Sequence, residues 1–433
     1  MKANTCRGIF LRVPLRRLSP SMETLVIVCS SAFIDSLGYG IIVPFLPQYA
    51  LSLGASDLDL GIIFASYSLV QLVTTIPFGL MSDRYGRRPF MITGMLLLGV
   101  ASLLYPLARS VLAIAACRAM QGLAASATWS SAIALVADTF PGRDKGEKLG
   151  LATGITSVGG IAGPLIGGVL SDVSFSLPFL LLAGLSLFMF VYMFFRLRVK
   201  RREKTAEALP YREVVRKALG IRNILVIILI NVLTMIFWGF IEPLMPPYLS
   251  GRFSLSSTQI GLVFGAASLS YAVFQPLVGR LSDRYGRKVF IIWGLVLLAG
   301  VNLVIPFCED PVSLTVCIVA AAAVGTVAFT PLTPLAIESL QDRNIKAYAT
   351  VESLFAIAFF VGYSIGPVVG ALISSNFGFN SMFFFYSMIL VIVLLVSQIY
   401  MQETMKKSDR QAEVEKDSMA AGGAGGAPRG NRG

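Results

Sequence analysis

Gly79-Leu80-Met81-Ser82-Asp83-Arg84-Tyr85-Gly86-Arg87-Arg88-Pro89 is a polar knot between two long apolar runs. It returns 200 positions later as Gly279-Arg280-Leu281-Ser282-Asp283-Arg284-Tyr285-Gly286-Arg287-Lys288-Val289. The core Ser-Asp-Arg-Tyr-Gly-Arg is identical in the two copies. Charged groups and irregular backbone cannot lie in hydrocarbon, where no water satisfies them. Each copy is therefore a tight loop joining two membrane helices at one surface, and its recurrence marks a duplicated membrane unit.

The composition agrees. Of 433 residues, 55% are hydrophobic and only 14% charged, with a mean hydropathy of +0.74; a soluble chain has about 25% charged residues. The net charge of +12 would suit a nucleic-acid partner on a soluble domain, but the basic residues crowd short loops, which excludes that reading. Histidine is absent, so any proton chemistry rests on carboxylates. Cys6, Cys29, Cys117, Cys308 and Cys317 show no metal-ligand spacing and read as small hydrophobes. With no phosphate loop and no nucleophile constellation, neither an enzyme nor a cofactor or metal is expected.

Twelve runs are long enough to cross ~30 Å of hydrocarbon. They cover 22–47, 58–80, 88–108, 110–138, 147–171 and 176–197, then 223–249, 258–280, 288–307, 312–340, 347–374 and 380–401. Loop charge orients them. If residue 22 starts inside, the outer loops hold only Arg109 and Arg252, while the inner ones hold both knots, Arg143, Lys145, Lys148 and a basic middle segment. Residues 1–21 carry five basic groups and no acid, which fits a cytoplasmic tail or a transit peptide. Residues 22–197 form one six-helix unit, 198–222 a cytoplasmic linker near anionic lipid heads, 223–402 the second unit, and 403–433 a disordered cytoplasmic tail.

The repeat extends past the knots. Pro44 and Pro47 match Pro243 and Pro246, Gly61 and Phe64 match Gly261 and Phe264, and Gly159, Gly163, Pro164 and Gly167 match Gly362, Gly366, Pro367 and Gly370. Six spans per half give both halves one orientation, related by an axis along the membrane normal. The fold class is thus an all-α membrane protein, twelve transmembrane helices in two pseudo-symmetric six-helix bundles. The substrate path lies between them, an architecture for alternating access.

A few residues stand out against this apolar background. Asp35 lies about ten residues, or ~15 Å of helix, past Leu25, with no basic neighbour. A carboxylate there costs at least ~2.5 kcal/mol unless it faces a cavity or carries a proton; it reads as a proton-coupling or cation-binding acid, or as a packing acid bonded to a hydroxyl. Arg118 heads the face Gln121, Gly122, Ala125, Trp129. A guanidinium keeps its charge and must face water, a carboxylate or carbonyls. Glu242, beside Trp238, is a second protonatable acid in the opposite half or a solvated residue of the outer headgroup zone. Tyr39, Trp129, Asn231, Trp238 and Gln275 complete the cavity candidates, since aromatic faces near a buried acid suit cationic, lipophilic guests. The ladder Gly159, Gly163, Pro164, Gly167, Gly168 clears one stripe of the fifth span for close backbone approach.

The knot G-x-x-x-D-R-x-G-R-[RK], present after the second and eighth spans, resembles the signature loop of the major facilitator superfamily of secondary transporters. The resemblance covers about residues 22–402. It implies that Gly79, Asp83, Arg84, Gly86, Arg87 and Arg88, with Gly279, Asp283, Arg284, Gly286 and Arg287, act as conformational latches. Asp83 would cap the start of the eleventh helix, Arg87 would pair with Asp138, and Arg287 with Glu338. These bonds are expected only when the halves touch on the cytoplasmic side. Arg118-x-x-Gln121-Gly122 resembles the fourth-helix motif of proton-coupled members, and Gly163-Pro164-x-x-Gly167-Gly168 that of antiporters. With Asp35, the chain looks like the twelve-helix drug:proton antiporters, except that no acid lies deep in the tenth or eleventh span. The resemblance implies export of small lipophilic or cationic molecules in exchange for protons by a monomer in the cell membrane, with membrane lipid and protons as further partners. Uptake of a sugar or organic acid, or a non-transporting sensor, are the alternatives.

Overall fold

A computed structural model describes residues 19–140, 144–197, 216–341 and 348–403. Most of residues 1–21, most of the 198–222 linker and nearly all of the 403–433 tail therefore lie outside the described residues. Among those described, twelve helices are long and apolar enough to cross a membrane. They are α1 (Pro20–Gly40), α2 (Asp57–Tyr85), α3 (Arg87–Leu104), α4 (Val111–Thr139), α5 (Asp144–Val173) and α6 (Leu177–Arg196) in the first half. The second half has α7 (Arg222–Phe253), α8 (Ser257–Tyr285), α9 (Arg287–Val304), α10 (Pro311–Phe329), α11 (Tyr348–Phe377) and α12 (Ser381–Tyr400).

Two runs read as single spans are broken. The first stops at Gly40, turns through residues 41–45 and resumes as a short helix, Leu46–Ser52. Pro44 and Pro47 supply no backbone N–H, so the helical ladder lacks donors there. The tenth breaks at Thr330–Pro331 and continues as Leu332–Gln341. By contrast α7 runs unbroken through Pro243, Pro246 and Pro247.

Each knot is a helix stop. Gly86 (φ 99°) and Gly286 (φ 105°) take backbone angles that side chains resist, and their N–H groups return to Ser82 and Ser282 carbonyls at 3.0 and 3.1 Å. The Ser82 and Ser282 hydroxyls donate to Gly79 and Gly279 carbonyls, both at 2.9 Å. We call the side bearing both knots the motif face and the opposite side the far face.

Within each half, the glycine ladder presses one helix onto another. A Cβ on Gly159 would sit 2.6 Å from the Phe33 carbonyl oxygen and one on Gly167 2.0 Å from that of Ile41, while Gly40 meets Pro164. The second half repeats the arrangement, with Gly362 against the Val232 carbonyl and Gly239 against Pro367. So α1 lies on α5 and α7 on α11. Across the halves, α2 packs on α11 and α5 on α8.

That contact exists at the far face and is lost toward the motif face. Eighteen residues make five helical turns, about 27 Å, and return to the same side of a helix. A Cβ on Gly168 of α5 would meet the Ser257 carbonyl of the other half at 2.3 Å, yet Gly150, on the same side, has nothing within 4 Å. On α2, Gly61 would meet the Pro367 carbonyl at 2.7 Å and Gly79 nothing among the described residues. On α8, Gly261 would meet the Pro164 carbonyl at 2.3 Å, whereas Gly279 finds only Thr330 of its own half at 3.8 Å. Among the described residues, the two bundles touch at the far face and spread apart at the motif face.

Candidate functional site

The seam between the halves collects the polar groups that the apolar spans otherwise lack. Its anchor is Arg118 of α4, fully buried. The guanidinium carbon lies 4.4 Å from the Phe64 ring centre, 5.3 Å from Tyr67 and 5.4 Å from Tyr39. Nη1 donates to Gln121 Oε1 at 3.2 Å. Gln121 is itself fixed, its amide nitrogen donating to the Gly38 carbonyl at 2.8 Å and its oxygen accepting from the Tyr105 hydroxyl at 3.0 Å. Nε and Nη2 of Arg118 find no hydrogen-bond acceptor among the described residues. Three ring faces thus carry much of a charge that cannot be shed.

Glu242 lies inside the protein. It is 8% exposed, sealed inside the seam and not solvated at the surface. Its carboxylate accepts a short hydrogen bond from the Tyr39 hydroxyl of the opposite half and another from Tyr363 of its own half at 3.2 Å. Tyr39 in turn packs against Tyr67 at 5.0 Å and edge-on to Tyr363 at 6.3 Å, and Tyr363 stacks on Phe359 at 4.9 Å. This network closes the seam toward the far face.

Asp35 precedes Tyr39 by four residues, one turn nearer the motif face on the same stripe of α1. It is half-buried, and no hydrogen bond or ion pair holds it among the described residues. It does not pair with Arg118. The two acids are thus treated differently. Glu242 is clasped by two hydroxyls at the closed end, while Asp35 stands unpaired toward the side where the halves part.

The remaining cavity candidates are scattered. Asn231 is 1% exposed with its Oδ1 unpartnered. Trp238 sits edge-on to Phe237 at 5.6 Å, Gln275 is half-buried, and Trp129 is 36% exposed. Sequence reasoning missed Tyr67 and Tyr363, which build the seam network. Their only local signal is helical spacing from other seam residues, Tyr67 three positions after Phe64 and Tyr363 four after Phe359.

The latch residues lie at the motif face. Arg87 donates to Ser82 at 2.7 Å, pairs with Asp83, and reaches Asp138 at 3.4 Å. Arg287 pairs with Asp283 at 3.0 Å and with Glu338. Arg88 donates to the Phe194 carbonyl at 2.6 Å, and Arg84 and Arg284 lie over Tyr85 and Tyr285. One expectation is corrected here. Arg87 and Asp138 belong to the same half, as do Arg287 and Glu338, so both pairs form while the motif face is open. The side chains at the start of α11, which Asp83 would cap, and residues 342–347 before it lie outside the described residues.

Comparison with known proteins fits this geometry. A model of the Major Facilitator Superfamily matches residues 28–230 and 227–431. The chain is 26% identical to a probable vesicular acetylcholine transporter-B of Danio rerio, over 82% of this chain and 74% of that protein. It is also 26% identical to the multidrug resistance protein MdtG of Enterobacter lignolyticus, over 91% and 96%. The fold is shared with a crystal structure of a bacterial homolog to the human lysosomal transporter Spinster, in an inward-facing and unoccupied conformation. There the TM-score is 0.76 at 14% identity, covering 88% of this chain and 98% of that one. With a repeated loop, twelve spans in two like halves and a polar seam between them, the chain belongs to the major facilitator superfamily as a multi-pass membrane transporter of a small molecule.

Proposed function

We propose that the protein exports small lipophilic or cationic molecules in exchange for protons, acting as a monomer in the cell membrane with its motif face in the cytoplasm. The observation that carries this reading is the placement of one carboxylate from each half, Asp35 and Glu242, on a single seam around a permanently charged Arg118. With no histidine in the chain, these are the groups able to exchange protons there. The basic loops at the motif face support the orientation.

In this reading a cationic guest enters from the open motif face and meets Asp35, whose proton leaves as the guest arrives. The rings of Tyr39, Tyr67, Tyr363 and Phe359 receive its apolar body. The halves then rock, the Tyr39–Glu242 bond parts, and the guest leaves by the far face. Protons from that side reload the carboxyl groups and reset the cycle. Arg118, close to two of these rings, Tyr39 and Tyr67, raises the cost of holding guest and protons together.

Support for export over uptake comes from the ladder Gly159, Gly163, Pro164, Gly167 and Gly168 and from the multidrug relative. The test is exchange in proteoliposomes with tetraphenylphosphonium as the probe. Asp35→Asn should abolish exchange driven by a pH gradient while probe-for-probe exchange persists. Undiminished pH-driven exchange in that variant would remove Asp35 from the mechanism.

A further inference from the structure

We infer that the far face is held shut by two crossed clasps, Asp172 on the start of α8 and Asp57 on the end of α11, and that these clasps set how often that face opens. The first is a helix cap supplied from the other half. Helix starts leave their first N–H groups without partners and carry partial positive charge. In α8 the helix's own Ser256 takes the third of these, the Gln259 N–H, at 3.3 Å. The first two, on Ser257 and Thr258, are taken by the carboxylate of Asp172, at the end of α5, at 3.0 and 2.9 Å. Ser256 is an adequate N-cap by itself, so Asp172 serves to join α5 of one half to α8 of the other.

The second clasp joins the other cross-half pair of helices. Asp57, the first residue of α2, accepts from the Ser374 hydroxyl near the end of α11 at 3.0 Å. The repeat makes the two clasps counterparts. The spacing of 200 that relates the knots brings Asp57 onto Ser257, and the spacing of 203 that relates Pro164 to Pro367 brings Asp172 onto Ser375, beside Ser374. Each clasp therefore joins the same two places with the halves exchanged. Both acids sit in the first half and both donors in the second, so acceptor meets donor at each crossing. Simple packing requires no such division.

The clasps are tied to one state. They lie beside the backbone contacts Gly168–Ser257 and Gly61–Pro367, and the same helices have parted five turns away. Rocking that closes the motif face must separate Asp172 from Ser257 and Asp57 from Ser374. Their free energy counts toward the far-closed state alone, so removing one shifts the balance of states. This rests on the alternating-access reading above, and the test follows conformation without using proton coupling.

The measurement is hydrogen–deuterium exchange on the full chain in lipid nanodiscs. Asp172→Ala should raise exchange in the first turn of α8 and at the far ends of α2 and α11. It should also lower exchange in motif-face peptides around Gly86 and Gly286, because that face now closes more often. The state ratio should move on the order of tenfold, the worth of one charge-assisted bond. Ser374→Ala, a milder change, should move the same peptides in the same directions. Asp59→Ala, which removes a cap within its own helix, should act only at the start of α2. Faster exchange at α8 with unchanged motif-face peptides would make Asp172 a local cap and overturn the inference. If Asp172→Ala does not fold, an unchanged motif face in Ser374→Ala overturns it equally.

Discussion

Removing the Tyr39 hydroxyl should shift the transporter between states, whereas removing that of Tyr363 should not. Both hydroxyls donate to Glu242, but Tyr39 reaches it across the seam and Tyr363 from the same half. A hydrogen bond to a charged group contributes about 1.5–3 kcal/mol. Glu242 is 8% exposed, so solvent screens little of this. In the proposed cycle the Tyr39 bond exists only while the far face is shut. Tyr39→Phe should therefore move the ratio of far-open to far-closed molecules by roughly ten- to 150-fold. Tyr363→Phe weakens its own half and leaves that ratio within about threefold. Spin labels at Leu112 and Val312, exposed by 79% and 70% at the far ends of α4 and α10, would report the opening by electron–electron distance measurement in a background free of native cysteines. The Tyr39 variant should populate a longer distance. Identical distributions in the two variants would mean that the Tyr39 bond has no dependence on state.

Three further outcomes follow from the same geometry. Gly168→Leu collides with the Ser257 carbonyl and should favour the far-open state, whereas Gly150→Leu meets nothing here and should obstruct closure of the motif face; the same spin labels should move in opposite directions. Arg118→Lys keeps a charge but cannot span the Phe64 ring and Gln121 together, so pH-driven exchange in proteoliposomes should fall by roughly tenfold or more. Arg87→Ala releases Ser82, Asp83 and Asp138 at once; a cost of about 1 kcal/mol should lower the melting temperature by about 1 °C.

The sequence carried the fold because the polar knot and the glycine ladder are local patterns that occur twice. Gly86 and Gly286 mark helix stops, and Gly159 to Gly168 mark close approach, without any knowledge of partners. Asp35 was legible for a related reason, being a lone charge in an apolar run. The seam network was not. Tyr39 and Glu242 are 203 positions apart and Tyr363 and Glu242 121, and a tyrosine in a membrane helix reads as packing until its hydroxyl is seen to find a carboxylate. The breaks at residues 41–45 and at Thr330–Pro331 were hidden because hydropathy continues through them. Prolines alone did not betray them, since α7 passes through three without a break. That Arg87–Asp138 forms with the halves apart was within reach of the sequence, since both residues fall within the first unit, 22–197.

In the proposed exchange a guest and a proton compete for carboxyl groups on the seam between the halves, and proton release on binding measures that competition. Tetraphenylphosphonium added to the purified full chain in weakly buffered solution should release close to one proton per bound probe near neutral pH. Release should vanish in Asp35→Asn while some binding persists. Probe binding with no proton released by the unmodified protein would rule out such competition.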